Sequence, residues 1–487
     1  MKKLTNDSCY VRLKKHLTSK TKILVVDKDG QYFQDEAFDI YCGMLNEIST
    51  LKVRRGQTFL IAPFVRKETI LIAAAIVSLG GTIMFGNPKR TREGFVKQLD
   101  PWMRFDATVI FNGQWYVEKG KKTINLSLTR QALKAKPLKR ASKTKPSFYI
   151  VTSGSTGKNK IIALSEYGFL NHIEREVSDI ASDNGMTYCC LPINHIFGIA
   201  SFFQHIITGN SFYLSDTCNP DFALDIIEKY RCSALPNVPT FFYMLMEAQS
   251  KKSRDISSLK VGVIAGGPYS KEQFEKIEKT LGITLCSSYG MTEASTVICS
   301  SPNHLPLEER SVGVGKPFPG VDVVLKDSKG TIVEKTGEIC FKGYNLMLGY
   351  LTEKGLDLPL DKEGYFHTGD IGQYDDEGIM RIIGRTKDII IRGGENLSPS
   401  IIEQKIATIS GVKDVCVVGI LSRKYGEVVA AYIASDNLTK EQLIEELKNV
   451  LIKIEMPEKI IIRHSIPLLM SGKHDKILVK KMLMDKE

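Results

Sequence analysis

The chain has 487 residues, 43% of them hydrophobic and 25% charged, with 39 glycines and 18 prolines. These proportions exclude a collagen repeat, a coiled coil and long disorder, and at roughly 150 residues per domain the length suits two large domains or three. The net charge is +11, but seven basic residues fall in one acid-free stretch from Arg130 to Lys145, so the basicity is mostly local. A solvated linker is the plain reading of that stretch; a nucleic-acid or anionic-membrane patch is the sharper one. We expect no nucleic-acid partner.

In chain order, the first seventeen residues, MKKLTNDSCYVRLKKHL, are basic and lack the apolar core of a signal peptide. The longest apolar run, Ile70 to Val77, has eight residues, far short of the roughly 20 that span a bilayer. It reads instead as part of a buried helix over 70–79, stopped by Gly80-Gly81. Ser147 to Val151 reads as a strand feeding a glycine-rich loop. Val261 to Ala265 is a second strand, ending in Gly266-Gly267, and Thr284 to Ser287 a third, ending near Tyr289-Gly290. From about 311 the texture turns to short β runs with Gly-Pro turns. Alternating β-branched runs and amphipathic segments predict an α/β fold of layered sheets with helices.

The last hundred residues read as a separate small α+β unit. It holds strands at 389–391, 412–420 and 428–433. One helix is opened by Ser398-Pro399, and a second by the capping box Thr439/Gln442, with Leu443, Leu447, Val450, Leu451 and Ile454 on one face. The boundary is placed between Arg385 and Asp388, giving units 1–386 and 387–487. None of the ten cysteines shows a paired C-x-x-C spacing. Free buried thiols in a reducing, cytoplasmic compartment fit them best.

The most informative segment is Thr152-Ser153-Gly154-Ser155-Thr156-Gly157-Lys158-Asn159-Lys160. Glycines let backbone approach a polyanion, hydroxyls donate to phosphate oxygens, and lysines neutralise charge. It is not a Walker loop, which needs four residues between Gly and Gly-Lys where this chain has two.

YIVTSGSTGKNK resembles the signature of the adenylate-forming enzymes: acyl- and aryl-CoA ligases, luciferases and peptide-synthetase adenylation domains. Further segments follow in that family's order: SSYGMTEAS (287–295), GVGKPFPG (313–320), GEICFKGYNLMLGY (337–350), YFHTGDIG (365–372), GRTKDIIIRGGENLSPSIIE (384–403) and SGK (471–473). The resemblance covers about 330 residues and is closest to acyl-CoA ligases; the first 140 match loosely. It implies a large domain that binds ATP and acid, a small mobile lid, and the use of ATP, Mg²⁺ and coenzyme A. Acid and ATP would give acyl-AMP and pyrophosphate, and a thiol would then displace AMP. An acyl carrier protein is the alternative acceptor.

By the same resemblance, loop 152–160 holds the terminal phosphates, with Lys160 the charged contact; Asn159 stands where the family usually has proline. Thr292 positions phosphate and Glu293 ligates Mg²⁺. Asp370 and Arg385 hold the ribose. Gly266, Gly267, Ser288 and Tyr289 frame the adenine and the acyl group. Lys473 serves adenylation, and Lys476 replaces the usual basic partner three residues later. Lys387 is the hinge, and Gly393-Gly394 meets the pantetheine arm. His195 resembles the pocket histidine of acyl-CoA ligases. No Phe-Asp pattern lies between Leu191 and Ala200, so an amino acid would lack its counter-ion. Ile199, Phe202, Phe203, Phe241 and Phe242 suggest a nonpolar acid, fatty or aryl, though any of them reads equally as core.

Overall fold

The computed structural model describes residues 3–88, 90–100, 102–153, 159–179, 185–422, 424–468 and 474–484. Among them the chain forms two sheets of nine strands and two of five. The first nine-stranded sheet has at its centre the strands Thr284–Met291, Val261–Ala265, Cys232–Asn237, Met186–Cys189 and Phe212–Leu214. These run parallel, joined in part by the crossover helices Pro220–Tyr230, Pro239–Lys251 and Lys271–Leu281, as parallel pairing requires. The second nine-stranded sheet carries Pro146–Ser153 and Asn159–Ser165 near its middle.

The expected apolar helix spans Lys67–Ser78, and all twelve of its residues are buried. It has no polar face because its sides are covered by the helices Cys9–His16 and Gln34–Ser49, within a core common to both large sheets. Its charged first turn is matched inside that core: Lys67 Nζ lies 3.0 Å from Asp27 Oδ1, and the Tyr32 hydroxyl donates to Glu68 at 2.8 Å.

The β texture expected after 311 is an antiparallel five-stranded sheet whose strands include Val321–Lys326, Thr336–Gly343, Phe366–Tyr374 and Met380–Arg385. The last sheet is built from Ile390–Arg392, Glu395–Leu397, Asp414–Ser422, Gly426–Ala434 and Lys459–Arg463. Alternation along its strands feeds two cores. Val415, Val417, Val429 and Ala431 pack with the helices Pro399–Ala407 and Lys440–Val450. Cys416, Val418, Val428 and Ala430 pack with Lys476–Met484.

Ser398 caps its helix by accepting from the Ile401 N–H, and Thr439 and Gln442 form the reciprocal box. The second helix stops at Val450, so Leu451 and Ile454 reach the core from the following turn. There the Glu455 carboxylate, paired with Lys405, accepts the Ile452 N–H at 3.2 Å and replaces a helical carbonyl. The third predicted strand extends past Ser287 to Met291.

The basic stretch 130–145 lies along the amino-terminal helices. Arg130 pairs with Asp35 and Asp39 at 2.8 and 2.7 Å, and the Ser8 hydroxyl donates to the Leu138 carbonyl. All ten cysteines are free, and nine are buried. Among the described residues no helix is long and apolar enough to cross a membrane.

Candidate active site

Ala265 stands opposite Ser288 in neighbouring parallel strands. Gly266-Gly267 therefore leaves one strand beside Tyr289-Gly290 of the other, at the carboxyl edge where open α/β sheets take ligands. The chain then turns through Thr292–Ala294 into the antiparallel strand Thr296–Ser301, and the pairing slips between Tyr289 and Gly290. A Cβ on Gly290 would stand 1.7 Å from the Thr296 carbonyl oxygen. Only glycine permits that approach, and the tight return buries Thr292 and Glu293 to 5% and 9% exposure.

The second sheet brings Thr152 opposite Lys160 across the strands that flank the phosphate-loop segment. Gly349–Thr352 adds on the far side, with Tyr350 opposite Ile162. The Tyr350 hydroxyl donates to Glu293 Oε1 at 2.9 Å, and Lys160 Nζ sits 4.2 Å from the Tyr350 ring centroid. One tyrosine thus bridges the loop lysine and the acidic turn. Burial and the Glu293 charge push its phenol well above the ordinary range, so it remains a donor.

Asp370 and Arg385 are direct cross-strand partners in the antiparallel five-stranded sheet. Arg385 Nε meets Asp370 Oδ1 at 2.7 Å, and the Tyr289 hydroxyl donates to Asp370 Oδ2 at 2.6 Å. Two sheets are joined at this carboxylate. Burial and Asp370 raise the Tyr289 phenol far above its usual value. Upstream, Gly369 N–H donates to Glu338 Oε1 at 2.9 Å and Asp370 N–H to the Thr368 hydroxyl at 3.0 Å.

These edges enclose one cavity of about 1990 Å³. Thr152, Lys160, His195, Gly266, Gly267, Ser288, Tyr289, Thr292, Glu293, Asp370 and Arg385 all line it. His195 is the N-cap of helix Ile196–Thr208. That helix turns Phe197, Ala200, Ser201, Gln204 and His205 to the cavity, the three- and four-residue spacing of one helical face. Ile199, Phe202 and Phe203 are buried in the core behind it; Phe203 stacks edge-on to Phe148. Phe241 and Phe242 are likewise core, whereas Val238, Pro239, Thr240 and Tyr243 line the cavity.

The cavity wall also holds Glu176 and Thr296, whose hydroxyl donates to the Glu176 carboxyl. Burial lifts Glu176 to about 8 and lowers the adjacent His172 to about 3. The two lie 3.5 Å apart, and at neutral pH they form a neutral pair rather than an ion pair.

Gly154, Ser155, Thr156, Gly157, Lys158 and Lys473 lie outside the described residues, and Ser153 is described only as the end of its strand. Gly393 and Gly394, at φ +61° and +93°, form the turn between 390–392 and 395–397. They do not line the cavity. Lys387 does, along with Asp388, His474 and Lys476. Lys476 Nζ pairs with Asp388 Oδ2 at 2.7 Å, and His474 Nε2 with Asp414 at 2.8 Å. The sequence motifs assign no role to Tyr350, Glu338 or Glu176. Tyr350 closes the GEICFKGYNLMLGY segment, which is the signal that points to it; Glu176 sits in an ordinary amphipathic helix with nothing to single it out.

The family model described as AMP-binding enzyme matches residues 48–351, and that of the AMP-binding enzyme C-terminal domain matches 401–473. The acyl-CoA ligase sidI of Aspergillus fumigatus is 32% identical over 354 residues, 68% of this chain and 60% of that protein. The 2-succinylbenzoate–CoA ligase of Staphylococcus epidermidis is 32% identical over 335 residues, 68% of each chain. Among solved structures, ATP-bound MatB from Rhodopseudomonas palustris has a TM-score of 0.84 at 23% identity and covers 99% of both chains, a likeness of fold. The match spans about 60% of the length of the Aspergillus ligase.

Proposed function

Because the chain belongs to the family of AMP-binding enzymes, we propose that it is an ATP-dependent acid–thiol ligase. It joins a carboxylic acid to AMP with release of pyrophosphate, then transfers the acyl group to coenzyme A. One observation carries this reading: three sheets deliver a lysine, an acidic turn and a carboxylate–guanidinium pair to a single cavity. The reaction needs charge neutralised at the phosphates and the sugar held, and a lysine, an acidic turn and a carboxylate–guanidinium pair around one cavity support that reading.

Thr152 and Lys160 hold the terminal phosphates, together with the loop between them. Thr292 donates to phosphate. The Glu293 carboxylate offers the hard oxygen donor that suits Mg²⁺, which when bound neutralises phosphate charge. Asp370 accepts from the ribose hydroxyls while Arg385 and Tyr289 keep it oriented. Gly266, Gly267 and Ser288 border the base, and His195 borders the acid. Lys473 supplies positive charge to the carboxylate as it attacks phosphorus. We place the hinge at Lys387, dividing the chain into 1–386 and a mobile 387–487, with Gly393-Gly394 meeting pantetheine after rotation. The acid is a nonpolar one, fatty or aryl, set against Leu191, Ile196, Phe197, Ala200 and Val263, with Ser201 and Gln204 adding polar contacts. The free cysteines suit the cytoplasm.

Incubation with labelled acid, ATP, Mg²⁺ and coenzyme A is expected to yield the acyl-CoA thioester. Labelled acyl-AMP without thioester on coenzyme A would reject that acceptor.

A further inference from the structure

Beside the nucleotide clamp lies a cluster that the proposed reaction does not use. Cys340 and His367 face each other across antiparallel strands, and Glu338 precedes Cys340 by two residues. Cys340 Sγ is 3.4 Å from His367 Nδ1, and Glu338 Oε2 is 2.8 Å from the same nitrogen. On the other side of the ring, His367 Nε2 lies 3.2 Å from Asp361 Oδ2, whose second partner is Lys326 at 2.6 Å. One thiol, one imidazole nitrogen and one carboxylate oxygen thus lie within 4.8 Å of each other.

We propose that Glu338, Cys340 and His367 form a binding site for a soft divalent cation of the Zn²⁺ type, and that its occupancy modulates the nucleotide clamp. With metal–sulfur and metal–nitrogen bonds of about 2.3 and 2.0 Å, a tetrahedral centre places nitrogen and sulfur roughly 3.5 Å apart. The observed 3.4 Å nearly meets that spacing. Glu338 Oε2, 2.8 Å from the same nitrogen, is the third donor, and its side chain, 23% exposed, has room to adjust. Asp361 supplies what a ligating histidine needs: a carboxylate on Nε2–H fixes the ring and leaves Nδ1 for the metal. Water fills the fourth position from the solvent side, where His367 is 36% exposed. On binding, the Cys340 S–H proton and any proton on Nδ1 pass to water, and nothing is oxidised or reduced. Mg²⁺ does not compete, because it takes oxygen ligands and not thiolate.

The link to the clamp is short. Glu338 Oε1 accepts the Gly369 N–H, and Asp370 is the next residue. A cation drawing on Oε2 reorients the carboxylate that holds this turn.

Titrating the full chain with Co²⁺ in excess Mg²⁺ tests the site without reference to any enzymatic reading. The expected result is a near-ultraviolet thiolate-to-cobalt band that saturates at one equivalent, vanishes on Zn²⁺ addition and is absent from Cys340→Ser. Asp361→Asn should weaken binding about 10- to 100-fold. Failure of the band to appear, or its persistence in Cys340→Ser, overturns the site. Should the buried cysteine variant not fold, His367→Asn, at a half-exposed position, takes its place: loss of the band supports the site and its persistence overturns it. For the coupling, saturating Zn²⁺ should change the KM for ATP in the wild-type chain and leave that of Cys340→Ser unmoved; equal response in both overturns it.

Discussion

Replacing Asp370 by Asn keeps the side-chain shape and removes the charge on which three groups depend. In the free protein Arg385 Nε and the Tyr289 hydroxyl each hold one of its oxygens, at 2.7 and 2.6 Å. The Arg385 side chain is 53% exposed, so that ion pair contributes only about 0.5 kcal/mol to stability. The Tyr289 bond drops from charged to neutral acceptor, at a cost of about 1 kcal/mol. The variant therefore folds. Its effect on the reaction is larger. Two ribose hydroxyls that donate to a carboxylate each lose about 1 to 1.5 kcal/mol when the acceptor becomes neutral. The sum corresponds to a fall of roughly 30- to 150-fold in kcat/KM for ATP. Pyrophosphate exchange measured against ATP and against acid separates the effects: the ATP dependence should shift and the KM for the acid should stay within about twofold. Unchanged ATP dependence in a folded variant would show that Asp370 does not hold the ribose.

Lys473→Ala should abolish acid-dependent pyrophosphate exchange and largely spare thioester formation from supplied acyl-AMP; equal loss of both half-reactions contradicts the assignment of this lysine to the first. Gly290→Ala drives a methyl group into the Thr296 carbonyl, and because backbone must move, a cost of about 1–3 kcal/mol or more is expected. Its melting temperature should fall and exchange should drop with it; a variant of wild-type stability refutes the close approach. Glu176 is raised to about 8 by burial, so between its unfolded value near 4.5 and about 8 the folded chain holds a proton that the unfolded chain has released. Stability from this group is full below that window and declines as pH rises through it. Relative to the wild-type chain, Glu176→Gln should make the change of melting temperature from pH 5 to 8 less negative; identical slopes would place an ionised carboxylate there.

The elements legible in the sequence are those whose signal is local. The run at 70–77 stands within a fully buried helix, Ser398 and Thr439 cap as their spacing indicates, and the strand 261–265 has the predicted bounds. Motif positions were legible too, since Thr152, Lys160, Thr292, Glu293, Asp370 and Arg385 meet around one cavity. What the sequence hid depends on partners far along the chain. Helix 196–208 is apolar nearly all round, so periodicity did not reveal that Ser201 and Gln204, rather than Phe202 and Phe203, face the cavity. Tyr350 bridges Lys160 and Glu293 only because strand 349–352 joins the sheet next to 159–165. Helix 440–450 ends early through Glu455, whose other partner, Lys405, is fifty residues away.

Whether the cavity joins an acid to AMP is tested most directly by acid-dependent exchange of labelled pyrophosphate into ATP, run with Mg²⁺ over a panel of fatty, aryl and amino acids. Exchange is expected with at least one fatty or aryl acid and with none of the amino acids. Absence of exchange with every acid in the panel would contradict the proposed reaction.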